Sequence, residues 1–300
     1  MMRVCQCGVV EPALARVIWH RLESINAVAY FCQECRDEPA RLGLKGFWAG
    51  YFACRAAPLG AVEAGVVEAT FFNFHPRRVR RAIPDAWTVV APSDLTSARA
   101  SAAAAALRRL LTADVAEQLS GRVLAVVQEV IDRAVGSGRP LFSANRGVAP
   151  PSDPVAAMWQ AATTLREHRG DAHVALLTTE SLDGCEAHVL FSACEGIPAE
   201  MYQQGRGWSA DDWQDAVDRL LARDLLRSDG RPTDPGRQLR ERIERRTDEI
   251  AAEPYAGIGD DGVRRLLHEL TPAAERIAAT GEIMFPNPMG LPRDTGSGED

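Results

Sequence analysis

The sequence predicts a mainly α-helical protein built as two tandem winged helix-turn-helix-like units related by an internal duplication. Three observations carry that reading. Apolar residues recur at helical spacing through nearly every segment, with capping or breaking residues between the runs. Residues 47–71, "FWAGYFACRAAPLGAVEAGVVEATF", lie without gaps over residues 170–194, "GDAHVALLTTESLDGCEAHVLFSAC", pairing Leu59 with Leu182, Glu63 with Glu186, Ala64 with Ala187 and Val66 with Val189. Each stretch then runs to a tryptophan, Trp87 or Trp208, followed by a Ser/Thr/Asp-capped helix. The second half finally shows helix, helix, longer helix, a short turn at Asp229-Gly230 and a closing helix, which is the order of a winged helix-turn-helix. A chain of 300 residues, 46% hydrophobic and 25% charged, suits two folded units of ordinary size.

From the N-terminus, "MMRVCQCGVVEPALARVIW" has no basic segment followed by a long apolar stretch, and no later segment approaches eighteen uninterrupted apolar residues. The expectation is a cytoplasmic protein with no membrane partner. Cys5, Cys7, Cys32 and Cys35 form CxC followed by CxxC, which can supply four thiolates to a tetrahedral zinc. CxC is a poor first pair, and "EPALARVIWHRLESINAVAYF" between the pairs reads as a helix, so reduced, partly buried thiols and no metal are expected. Cys54, Cys185 and Cys194 sit in apolar helical contexts and read as core. The stretch from Ser93, a candidate N-cap, to Val135 is helix-forming throughout. Residues 1–134 therefore make an N-terminal degenerate winged-helix unit plus a helical segment. The Gly- and Pro-rich 135–154 is the connector, 155–284 the C-terminal unit, and "FPNPMGLPRDTGSGED" (285–300) a disordered tail.

"LLARDLLRSDGRPTDPGRQL" resembles the corresponding stretch of MarR-type regulators, with a hairpin wing and Thr233 and Gly236 in the Thr-x-x-Gly cap of the next helix. Taken together, "GFWAGYFACRAAPLG", "FFNFHP", "IPDAW", "LREHRGDAHVALL", "RGW" and "ERRTDEIAAEP" resemble the SalK-like helix-turn-helix proteins of actinobacteria over about residues 24–280. That resemblance implies a tandem winged-helix, MarR-like fold and little about function.

A helix that reads DNA needs donors toward base edges and cations toward phosphates. Here that helix begins "SADDWQDAVD", with Asp211, Asp212, Asp215 and Asp218 on or near the approaching face, and the chain carries a formal charge of −7. Ser209 as N-cap with Asp212 three residues on fits a capping box instead. "HPRRVRRAIP" (75–84) is basic and keeps DNA as a lower-ranked partner.

The polar residues in apolar surroundings predict a pocket between the halves, lined by Tyr51, Arg55, Asn73, His75, Arg166, His168, Asp171, His173 and Arg206. A break at Gly170, with Asp171 as N-cap of a second helix, leaves Glu167 and Arg169 solvated, while His173 faces inward. The lone Arg55 in "YFACRAAPL" must meet a carboxylate, a ligand or water. The expected ligand is a small aromatic or polyene carboxylate or phenolate held by an arginine, in a protein of specialised metabolism with no cofactor. The alternatives are a ligand-responsive MarR-like transcriptional regulator and an enzyme using pocket histidines for acid/base chemistry, and no catalytic residue is assigned. Walker, dinucleotide, HExxH and nucleophile-elbow motifs are missing.

Overall fold

The computed structural model describes residues 10–292. Its helices are α1 (Pro12–Phe31), α2 (Gln33–Arg41), α3 (Phe47–Ala56), α4 (Ala64–Phe71), α5 (Pro76–Arg80), α6 (Ala86–Val89), α7 (Pro92–Leu111) and α8 (Ala113–Arg133). They continue with α9 (Pro140–Arg146), α10 (Pro154–Thr179), α11 (Gly184–Glu195), α12 (Ala199–Arg206), α13 (Ala210–Ala222), α14 (Asp234–Ala252) and α15 (Gly259–Ala279). One antiparallel bridge, Leu226 with Pro232, is the strand pairing present among the described residues.

The long helices α1, α7, α8, α10 and α15 share one core. In α8 the buried residues Ala116, Leu119, Val123, Val127 and Val130 recur every three or four positions, so one stripe faces inward and the rest meets water. The alanine run of α7 is different: Ala102, Ala103, Ala104 and Ala106 are all buried, and such small side chains let α7 lie against α1, α2, α8 and α10 at once. Pro92 occupies the first helical position of α7 and Ala91 the N-cap, so Ser93 lies inside the helix and does not cap it. Two smaller cores flank the body. Phe52, Phe71, Phe74, Ile83 and Leu95 close the first, and Leu182, Val189, Leu190, Leu220, Leu239 and Ile243 the second.

The offset of 123 positions seen in the sequence recurs in the helices. Residues 47–56 of α3 fall on the last turns of α10, 64–71 fall within α11, and the first residue of α5 falls on the first of α12. Downstream the correspondence ends: α6 is four residues long, whereas the helix at the same offset, α13, has thirteen. Ser209 and Asp212 form the expected capping box, with Asp212 N–H donating to Ser209 Oγ at 3.1 Å and Ser209 N–H to Asp212 Oδ2 at 2.9 Å. The turn after α13 is a small hairpin: Arg227 N–H donates to Arg231 O (2.8 Å), Gly230 takes a φ of +79°, and Thr233 Oγ1 accepts from Gly236 N–H. A side chain at Gly236 would place its Cβ 2.1 Å from Leu225 O, which is why the Thr-x-x-Gly cap ends in glycine.

Three local expectations are corrected. Helix α10 runs unbroken through Gly170, because the neighbouring charges find tertiary partners that outweigh the roughly 1 kcal/mol a mid-helix glycine costs. The connector 135–154 contains α9, whose Leu141 and Phe142 are buried. Residues 285–292 are packed rather than disordered: Asn287 Oδ1 accepts from the Met289 and Leu291 N–H groups and its amide donates to Leu291 O, with Asn287 and Leu291 both buried. The remainder of that tail, 293–300, lies outside the described residues.

Candidate functional site

A cavity of about 550 Å³ lies where α1, α3, α4, α10, α11, α12, α14 and the 284–292 segment meet, within the size range of small-molecule sites. Its apolar wall is an aromatic cluster produced by "GFWAGYF" and "TFFNF". At helical spacing Phe47, Trp48, Tyr51 and Phe52 fall on one side of α3, where Trp48 and Tyr51 meet Phe74 at centroid distances of 5.9 and 5.4 Å.

The floor is ionic. Arg55 grips Glu167 in a two-pronged contact, Nε to Oε1 at 3.0 Å and Nη2 to Oε2 at 3.1 Å, and its guanidinium lies 4.2 Å from the Phe71 ring centre. Arg166 Nη1 donates to the same Glu167 at 2.7 Å, and Arg166 Nε stands 3.6 Å from Glu23 on α1. Burial pushes the Glu167 carboxyl up, but Arg166 and Arg55 outweigh it and hold the group down to about 2. Glu23 goes the other way: burial raises it above the ordinary carboxylate range despite Arg166. Burial also raises the Tyr51 hydroxyl, yet the positive charge of Arg55, Arg206 and Arg166 leaves it below the usual phenol value.

A second ionic group joins α10 to α14 and α1. Arg169 donates to Glu244 (2.9 Å) and Asp248 (3.0 Å) and lies 4.0 Å from the Trp19 ring centre, while Arg16 donates to Asp248 at 2.7 Å. His173 Nδ1 sits 3.0 Å from Thr247 Oγ1 and 3.7 Å from Glu244, and burial pulls its pKa down to about 4.

At the junction of α4 and α12 the pairing is incomplete. Arg206 stacks 4.4 Å over Phe74 and donates through Nη2 to Pro288 O (3.1 Å), but no carboxylate among the described residues accompanies it. Its guanidinium is lowered below its ordinary pKa, first by burial, then by neighbouring Arg55. His188 stacks on Tyr202 with ring centres 4.2 Å apart. Buried polar atoms lacking a hydrogen-bond partner among the described residues concentrate on this cavity, among them Tyr30 Oη, Asn73 Oδ1, His188 Nε2, Tyr202 Oη and Arg206 Nε.

Of the residues singled out by sequence, Tyr51, Arg55, Asn73, Arg166, His173 and Arg206 line this cavity. Three do not. His75 caps α5, its Nδ1 accepting from Arg77 N–H (3.0 Å), and turns its ring to Trp208 with Nε2 3.6 Å from Asp212. His168 packs edge-on against Phe142, where burial pulls it down to about 4. Asp171 caps a helix, though not its own: it accepts from Phe142 N–H of α9 at 2.9 Å. Glu167 and Arg169, expected in solvent, are buried at 1% and 8% exposure. Sequence reasoning missed Glu23, Tyr30, His188, Tyr202 and Arg240. A single histidine inside the apolar run "EAHVLF" was the one local signal for His188.

On α13, Asp211, Asp215 and Asp218 are exposed, Gln214 is engaged with Asp218 (2.9 Å), and the helix's arginine Arg219 is tied to Glu186 and Asp183. Arg77 and Arg81 on the facing segment are exposed, whereas Arg78 lies on Trp48 and Arg80 pairs with Glu68. Cys32 and Cys35 are buried, and burial raises both thiols, Cys35 to about 12, so both stay protonated. Cys5 and Cys7 lie outside the described residues, and no cluster of three metal-ligating side chains occurs among those described. No described helix is long and apolar enough to cross a membrane.

The succession α11, α12, α13, hairpin and α14 defines a helix-turn-helix architecture. Residues 15–284 match the helix-turn-helix family, and the chain belongs to it. No curated protein and no solved structure matches the chain.

Proposed function

We propose that this protein is a small-molecule-binding member of its family, with an apolar aromatic or polyene acid held in the inter-half cavity and its carboxylate or phenolate at Arg206. The observation that carries the reading is the concentration of unpartnered buried polar atoms around a cavity whose other walls are aromatic. Such groups cost free energy unless something pairs with them. Arg55, one of the arginines expected in the pocket, is saturated by Glu167, so the anchoring role falls to Arg206, the cavity arginine with no acidic partner among the described residues. Within the family we read the chain as SalK-like and MarR-like, a duplicated pair of winged units, supported by the repeated helix offset and the single hairpin.

The experiment is a fluorescence and calorimetric titration with two probes, 2-naphthoate and the polyene acid retinoate. Saturable binding of at least one, weakened about tenfold or more by Arg206→Leu, is expected, the scale of losing a charge-assisted hydrogen bond. No binding of either, or binding indifferent to Arg206→Leu, refutes the assignment.

A second reading, the ligand-responsive regulator, is favoured by the helix-turn-helix order and by exposed Arg77 and Arg81. The acidic outer face of α13 opposes it, since three exposed carboxylates would meet phosphates. Sequence-selective duplex binding at physiological salt, abolished by Arg77→Ala with Arg81→Ala, would reverse this ranking.

A further inference from the structure

The unpaired groups of the cavity are not scattered. Asn73, His188, Tyr202 and Arg206 meet where α4 ends against α11 and α12. His188 stacks on Tyr202, Arg206 lies over Phe74 beside Asn73, and the backbone ties the corner together through Trp208 Nε1 donating to Asn73 O (3.1 Å) and His75 N–H to Arg206 O (3.0 Å). The corner is fixed: a Cβ at Gly184, the first residue of α11, would fall 2.2 Å from Phe72 O, so α11 and the end of α4 are in backbone contact. Within it, His188 Nε2, Asn73 Oδ1, Tyr202 Oη and Arg206 Nε each lack a hydrogen-bond partner among the described residues.

Their chemistry divides. Arg206 Nε–H only donates, Asn73 Oδ1 only accepts, and the Tyr202 hydroxyl does either. Burial pulls His188 well below its ordinary pKa, with a hydrogen bond to the Asn73 backbone opposing, so the ring is neutral. A neutral imidazole whose other nitrogen is held by a carbonyl presents Nε2 as an acceptor. An acid alone would satisfy Arg206 and leave two acceptors empty.

We infer that this corner is a specificity subsite for a hydroxyl or N–H group, so that the preferred ligand is a hydroxylated apolar acid whose anionic oxygen meets Arg206 while its donor meets His188 Nε2 or Asn73 Oδ1. The inference rests on the ligand-binding reading above and adds the donor requirement. A site built to hydrogen-bond a substrate hydroxyl discriminates against the analogue lacking it because its own buried groups are then stranded.

The test compares 2-naphthoate with its positional hydroxy-2-naphthoate isomers on the full chain. At least one isomer should bind about tenfold more tightly than the parent acid. In His188→Phe, which keeps a flat ring against Tyr202, that preference, read as the ratio of the two dissociation constants within the same variant, should fall to about threefold or less. Tyr202→Phe serves as a second, nearly isosteric variant, and near-ultraviolet circular dichroism checks that both remain folded. If 2-naphthoate binds and depends on Arg206 but no isomer binds more tightly, or the preference survives His188→Phe, this inference is overturned and the parent reading stands. If retinoate binds through Arg206 but no naphthoate does, this inference is overturned and the parent reading stands; if neither retinoate nor any naphthoate binds, both fall.

Discussion

Arg55→Met should destabilise the protein by about 3 kcal/mol at neutral pH. The variant keeps the length and apolar stem of the side chain but removes both hydrogen bonds to Glu167, a carboxylate with 1% exposure. Breaking a buried pair by removing one partner costs about 3–5 kcal/mol, because the remaining charge is stranded. The lower end applies here, since Arg166 stays 2.7 Å from Glu167. The depression of the carboxyl to about 2 has the same sign, and it is the joint effect of Arg166 and Arg55 against burial. The sign is checkable. A depressed carboxyl contributes stability that is present above its unfolded pKa and lost as pH falls toward 2. The gap between wild type and variant should therefore be full at neutral pH and narrow progressively below about pH 4. Urea unfolding at a series of pH values, with Arg55→Met combined with Glu167→Gln as the double variant, measures it. A gap under about 1 kcal/mol at neutral pH, or one that does not narrow in acid, would refute the claim that Arg55 and Arg166 hold Glu167 charged inside the protein.

Two further outcomes follow from the same geometry. Asp171 is pushed up to about 6, chiefly by burial, so its contribution is complete below its unfolded pKa and is lost as pH rises from about 4 to 6. Asp171→Asn, which keeps an acceptor for Phe142 N–H, should remove that slope and match or exceed wild-type stability at neutral pH, read by denaturation across the window; an unchanged slope would locate the titration elsewhere. Gly184→Ala should cost about 2–4 kcal/mol and loosen the junction of α4 with α11, because its Cβ would meet a backbone oxygen at 2.2 Å. A thermal melt within the error of wild type would contradict that contact.

Helix content, the capping box of Ser209 with Asp212 and the Thr233–Gly236 cap were legible in the sequence because each depends on partners within four residues. The aromatic face of α3 and the acidic face of α13 were legible for the same reason, since helical spacing alone decides which side chains share a side. So was the principle that Arg55 required a partner, though not which one. Only the tertiary structure decided that the partner is Glu167, 112 residues away, and that Arg206 is the cavity arginine without a carboxylate among the described residues. It also decided that α10 continues through Gly170. A polar run such as "REHRGD" reads locally as a helix junction, but Glu167, Arg169 and Asp171 are bound by α3, α14 and α9, and those long-range pairs outweigh a local preference of about 1 kcal/mol. His188 was illegible for a related reason. Whether a buried histidine is satisfied depends on what faces it from other helices, and that follows from the packing of α11 against α4 and α12.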